Sequence, residues 1–510
     1  MMKAWLMPAA VLLPVIGALC VCLCEPLRRN VRRMRSVVFA TVSVTAAIVI
    51  CIALLGKVDI APAKFLPGVP IYFRSDGIAG LFSVLTVSMW LLSTVFSFDY
   101  MSHGEREERY QTFSLLSLGA LMGVCFSGNL VTTYIFYEMM TLATFPLVMH
   151  EQTKEAISAG MTYLYYSLAG AFLGLVGIFF LYRCADPARE ATGGILSYAA
   201  GGFLKPGMTG TETAGLLAAV FFMLLGFGSK VGMFPLHGWL PKAHPVAPAP
   251  ASALLSGNIT KMGILFVIRV VYYSVGPSFL QGTWVQKTLL TLAMITVFLG
   301  SMLAFREKVM KKRLAYSTVS QTSYILAGLY LMSPEAAFTG AILHIVFHSV
   351  IKNLLFLCAG AVIARDGKTK VSEWKGLGRT EPAVMAVFTV GGLALVGIPP
   401  FSGFVSKWQI ATGALASGVP VFRYCVPVIL LISALLTAGY LITVSADAFF
   451  VPEPENAGNA EENDPVPSEN RRRLSLRMAF PLFILAAAAT LFGLFPNALT
   501  EFAASLFREF

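Results

Sequence analysis

About fourteen continuously apolar runs, each roughly twenty residues long, divide the 510 residues of this chain. At 1.5 Å per residue such a run spans a hydrocarbon core of about 30 Å. The runs do not alternate with period two, so helices are expected and a barrel is not, because a helix satisfies its own backbone groups in lipid. Coarse spans fall at 3 to 24, 36 to 55, 76 to 98, 112 to 128, 130 to 149, 160 to 183 and 213 to 234. They continue at 247 to 274, 284 to 305, 313 to 332, 335 to 364, 383 to 413, 422 to 450 and 475 to 498. Hydrophobic residues make up 56% and charged ones 13%, against about one quarter charged in soluble domains. The expected fold class is thus an all-α integral membrane protein, a single polytopic domain over residues 1–510.

A net charge of +11 would point to nucleic acid in a soluble protein, but here the basic residues sit in short loops between apolar runs. Topology accounts for them, and no nucleic-acid partner is expected. Alternating the loops puts Arg28 to Arg35, Arg306 to Arg313, Arg365 to Arg379 and Arg471 to Arg473 on one side. The positive-inside rule makes that side cytoplasmic, with both termini outside and the cell inner membrane as the location. A cleaved leader is the alternative for Met1 to Cys24. The run is too long, lacks a small-x-small cleavage site and is followed by a dense arginine cluster, so a retained helix is expected. The Pro-, Glu- and Asn-rich stretch Val451 to Asn470 reads as a flexible cytoplasmic loop, about 451–474, and not as a domain. The eight cysteines are scattered, with no Cys-x-x-Cys pair, and read as small apolar fillers.

Charges inside the spans carry the functional signal. A charged side chain at mid-bilayer costs about 2.5 to 3.5 kcal/mol on insertion scales, so it calls for a partner or a task. Glu138 stands in TTYIFYEMMTLATF, Lys230 in LLGFGSKVGMFPLHGW, Lys261 in SGNITKMGILF and Lys407 in IPPFSGFVSKWQI. His344, His348 and Lys352 recur every four residues in LHIVFHSVIKNLLF. Four residues advance a helix by about 400°, so these three form one polar stripe roughly 12 Å long, which suits proton hops. The two histidines are not a zincin motif, since Ile345 stands where the catalytic Glu would be. A single buried Lys can snorkel or pair structurally. Four mid-span lysines and one mid-span Glu cannot all pair one to one, and only Lys261 reads as near a helix end.

Lys230 precedes Pro235, and Lys407 follows Pro399 and Pro400 between Gly397 and Gly403. Paired broken helices mark ion sites in transporters with inverted repeats, although an ordinary proline kink reads the same way. Glu138 is the natural counter-ion for Lys230, because a lysine whose carboxylate moves away tends to release its proton.

Together these segments, and above all HGWLPKAHPVAPAPASALLSG, resemble the antiporter-like membrane subunits shared by respiratory complex I (NADH:quinone oxidoreductase), Mrp-type sodium/proton antiporters and group 4 membrane-bound hydrogenases. The resemblance covers nearly the whole chain. It implies fourteen helices, with helices 4–8 (about 112–274) and 9–13 (about 284–450) as inverted five-helix repeats and helices 7 and 12 broken. It also implies a proton path through Glu138, Lys230, His237, Lys261, His344, His348, Lys352 and Lys407, with Lys407 as in the Lys-bearing branch. Other membrane subunits, a soluble redox module, protons, sodium and lipid are the partners it suggests. Catalytic residues, metal ligands and cofactors bound by this chain are not expected, in keeping with the lack of an iron-sulfur cysteine framework, a Rossmann turn or a phosphate loop. The alternatives are a self-sufficient secondary solute transporter and a non-conducting anchor subunit. The residues leave open which of the three complexes this chain serves.

Overall fold

The structure, a computed structural model, describes residues 2–66, 68–104, 106–188, 193–452 and 474–510. Long apolar segments with few breakers form the helices α1 (Leu6–Leu23), α2 (Val31–Leu55), α3 (Gly77–Tyr100), α4 (Glu107–Phe126), α5 (Leu130–Val148) and α6 (Lys154–Cys184). They continue as α7 (Gly210–Val231), α8 (Ala249–Val275), α9 (Trp284–Arg306), α10 (Met310–Tyr330) and α11 (Glu335–Asp366). The last spans are α12, in two halves Pro382–Val396 and Ser402–Ala416, then α13 (Phe422–Phe450) and α14 (Leu476–Leu494). A further short helix, α15 (Asn497–Phe507), follows the fourteenth expected span.

Among the described residues, ten helices are both long and apolar enough to cross a membrane. The other four expected positions are filled by α4, α5, α10 and the broken α12. The polar residues of α10, including Ser317, Thr318, Ser320, Gln321, Thr322 and Ser323, are buried against neighbouring helices, and Ser317, Thr318, Ser320 and Thr322 are hydrogen-bonded there. The β-hairpin of β1 (Val58–Leu66) and β2 (Val69–Ser75) was not anticipated; it pairs antiparallel with Val58 opposite Ser75. The expected linker from Val451 and the Arg471–Arg473 run lie outside the described residues apart from residues 451 and 452.

The loops sort onto two faces. On one, Met310 N–H donates to Thr369 C=O and Val371 N–H to Lys308 C=O at 2.9 and 2.8 Å, which brings two of the basic loops together. On the other, the hairpin meets the α4–α5 turn through Phe73 and Ser127, and Ala199 N–H reaches Tyr273 C=O at 3.0 Å. These are called the basic face and the hairpin face below. Lys311 and Arg313, expected in a basic loop, instead belong to the first turn of α10 and are 7% and 8% exposed.

The apolar cores of α8 and α11 are buried on every side, together with the charged and polar residues they carry. They run through the middle in opposite directions. Two helices break beside them: α7 stops at Gly232 (φ 85°) and resumes as Leu240–Val246, and the first half of α12 stops at Gly397 (φ 88°). Only glycine takes that left-handed turn without strain, and Pro235, Pro399 and Pro400 donate no backbone N–H to continue the ladder.

Candidate functional site

Lys230 occupies the last turn of α7 and is fully buried. Its Nζ donates to Thr141 Oγ1, Tyr163 OH and Ser167 Oγ, each at 2.9 Å. An ammonium has three donors, so these hydroxyls satisfy it completely. The rings of Tyr163 and Tyr137 lie 4.5 and 5.4 Å from the same nitrogen, near enough to stabilise the cation further. Glu138 is half-buried on α5, near enough to Tyr134 and Lys230 to interact with both. Among the described residues no ion pair joins them, so the expected counter-ion is an electrostatic neighbour and not a contact.

Lys261 is not near a helix end; it lies within the 27-residue α8. A wide turn at Leu255–Ile259 precedes it, where the Thr260 N–H reaches back to Leu255 C=O. Such π-turns displace carbonyls from the regular ladder. Ser256 C=O accepts from Lys261 Nζ at 2.5 Å, and His348 Nδ1 stands 2.6 Å from the same nitrogen. With Lys261 protonated, its ammonium can only donate, so His348 Nδ1 is then the acceptor and the ring proton sits on Nε2. That Nε2 is buried with no protein partner.

The row continues along α11. His348 and His344 have ring centroids 5.9 Å apart, and His344 lies 5.6 Å from the Tyr324 ring. His344 Nδ1 meets Ser406 Oγ at 2.8 Å, while its Nε2 is unpartnered. Ser406 directly precedes Lys407, whose Nζ lies 5.0 Å from the Tyr324 ring. Lys407 donates to Leu395 and Val396 C=O at 2.7 and 3.0 Å. Those carbonyls end the first half of α12, where unsatisfied acceptors and the helix dipole both favour a cation.

Toward the basic face, Lys352 Nζ donates to Leu314 C=O at 2.9 Å and to Ser317 Oγ. Two residues missing from the expected site join it here. Lys311 Nζ donates to Ala247 C=O at 2.5 Å, and His244 is fully buried with both ring nitrogens unpartnered, stacked 4.7 Å from Phe356. His244 was visible in the Pro-Ala-rich motif, whereas Lys311 was hidden in a basic run that read as loop. His237 is half-buried beside Phe234, and among the described residues no hydrogen bond joins it to the row.

Gln321 and Ser323 of α10, Thr339 and Asn353 of α11 and Asn258 of α8 also carry buried polar atoms without protein partners. Such atoms are normally satisfied by internal water. Chemically, the arrangement can pass protons between nitrogens; among the described residues no three His, Cys, Asp or Glu side chains group as a metal site.

Also overlooked was Arg269, a buried charge near the C-terminal end of α8. It forms a buried bidentate pair with Asp76, the N-cap of α3, at 2.7 and 2.9 Å. The rings of Tyr198 and Tyr273 lie 4.9 and 4.7 Å from its guanidinium.

A family model described as NADH:quinone oxidoreductase/Mrp antiporter, TM, matches residues 127–437. NADH-quinone oxidoreductase subunit N of Desulforudis audaxviator is 32% identical over 431 residues, which is 82% of this chain and 81% of that protein. A Na(+)/H(+) antiporter subunit of Bacillus subtilis is 28% identical over 428 residues, 83% of this chain and 80% of that one. Among solved structures, a chain of the membrane-bound sulfane sulfur reductase, an archaeal respiratory membrane complex, superposes with a TM-score of 0.83 at 21% identity, covering 99% of this chain and 97% of that chain.

Proposed function

Because the chain belongs to the NADH:quinone oxidoreductase/Mrp antiporter transmembrane family, and is an antiporter-like membrane subunit of multi-subunit complexes, we propose that its buried row carries the protons. The path runs from Glu138 and Lys230 through Lys261, His348 and His344 to Lys407, with Lys352, Lys311 and His244 as a branch toward the basic face and His237 at its margin. The Lys261–His348 contact of 2.6 Å is the observation that carries this reading. A proton arriving at Nδ1 from the ammonium releases the Nε2 proton to water. Exchange of the ring proton between nitrogens then resets the imidazole for the next transfer.

Between Lys230 and Lys261 the path needs water, since no direct hydrogen bond bridges them. Glu138 supplies the negative field that holds a proton on Lys230, and loss of that field lets the proton move on. The two halves of the path correspond to α4–α8 and α9–α13 as inverted repeats, each with one broken helix and one lysine beside the break. The chain binds no cofactor of its own, and redox chemistry or ion exchange in partner subunits drives the transfer. The cell inner membrane, with both termini outside, is the setting consistent with the charge asymmetry.

The test is proton translocation by membrane vesicles holding the assembled complex. Lys261→Ala and Lys407→Ala are expected to lower flux on the order of a hundredfold, with the complex still assembled. Unchanged flux in both variants, with the complex assembled, overturns the path and leaves a non-conducting anchor role.

A further inference from the structure

Two cavities adjoin where α3 meets the hairpin, and they differ in chemistry. One, of about 480 Å³, lies among α2, α3, α11, α14 and α15; the other, of about 330 Å³, lies beside the hairpin, and Lys57, Ser75 and Asp76 border both. We infer that the pair is the seat of one zwitterionic phospholipid, one of its two acyl chains in the larger cavity and its headgroup in the smaller.

The length of the larger cavity fits a single leaflet. α3 lines it with Gly77, Gly80, Leu81, Val84, Leu85 and Ser88, spaced three and four apart and thus one continuous face of the helix. From Gly77 to Ser88 that face is about 16 Å long, close to half of a hydrocarbon core of about 30 Å. The deep end is floored by Val346 and Val350 and walled by Phe492, all apolar. Position 80 stands at the shallow end beside open space: a Cβ there would meet nothing within 4 Å.

The smaller cavity supplies the charges. Its lining holds Lys57, Arg74, Asp59, Asp76 and Glu509. Asp76 is already neutralised by Arg269. Two cations and two anions remain. Lys57 Nζ lies 3.2 Å from Glu509 in an exposed pair, and Asp59 accepts from Tyr72 OH at 2.6 Å. A phosphate between Lys57 and Arg74, with its cationic amine toward Asp59 and Glu509, leaves no net charge uncompensated. An anionic headgroup would leave one, and a partner's apolar helix would leave the polar cavity without a use.

The occupant bears on the mechanism only indirectly. Val346 and Val350 are each two residues from His348, on the opposite side of α11, so the acyl chain backs the helix that carries the histidines. The inference itself rests on the cavities and not on the proton path.

Native mass spectrometry of the full-length chain, purified with its membrane partners and re-lipidated with phosphatidylethanolamine, phosphatidylcholine or phosphatidylglycerol, is the test. One retained equivalent of zwitterionic lipid is expected, and Gly80→Leu is expected to lower it about tenfold, equal to about 1.4 kcal/mol or fewer than two buried methylenes. Gly80→Ala, which adds one methyl at the same site, keeps the lipid and controls for folding. Retention of phosphatidylglycerol in preference overturns the headgroup assignment. Retention unchanged in Gly80→Leu, or a crosslink from position 80 to a partner polypeptide, overturns the site.

Discussion

Lys230 shows how a buried cation is held by dipoles instead of by a counter-ion. Its three hydroxyl partners come from α5 and α6, and Tyr163 OH is itself 2.6 Å from Thr144 Oγ1. Removing that phenol leaves one ammonium proton buried and unpaired. Tyr163→Phe is therefore expected to destabilise the chain by about 1 to 3 kcal/mol, visible as a lower melting temperature, and to slow proton flux. The Asp76–Arg269 pair makes a sharper comparison, because both charges are buried and neither belongs to the row. Asp76→Ala alone should cost about 3 to 5 kcal/mol, since it leaves a buried guanidinium unpaired, whereas replacing both residues by apolar ones should recover much of the loss. Thermal unfolding of the two single variants and the double variant checks this. Equal losses in single and double variants would remove the pair as the cause.

At the scale of elements, close backbone packing fixes where the lysines stand. α6 and α7 approach through Gly170 and Gly226; a Cβ at Gly226, one turn before Lys230, would collide with Gly170 C=O. Gly226→Ala must push the helices apart, at an expected cost of about 1 to 3 kcal/mol, and should lower flux because the Ser167 and Tyr163 hydroxyls of α6 then withdraw from Lys230. A melt together with a flux measurement tests both parts. The spans were legible because lipid demands long apolar helices, and the breaks were legible because Gly232, Pro235, Gly397 and the Pro399–Pro400 step are visible letters. The hairpin was not, since its nine- and seven-residue strands, the first largely exposed and the second mostly buried against the helices, carry no membrane-length constraint. The first turn of α10 misled for a related reason. Lys311 sits among basic neighbours that do face solvent, and only packing against Ala247 reveals that it is buried.

For the whole molecule, the proposed path joins residues from five spans that are far apart in the chain, and α8 and α11 bring them together at the centre. Sequence supplied the identities Lys230, Lys261, His344, His348, Lys352 and Lys407 through their improbable setting in apolar runs. It could not supply their neighbours: the indirect relation of Glu138 to Lys230, the place of His244, and the separation of His237 from the row all depend on tertiary contacts. The proposed path depends most on His348, which meets Lys261 on one nitrogen and has its other nitrogen buried without a protein partner. The most direct measurement is proton flux in proteoliposomes containing the assembled complex with His348→Leu, a replacement that is apolar and of similar bulk. Flux at the level of lipid leak, with assembly intact, is the result expected; flux equal to that of the unaltered complex would contradict the path.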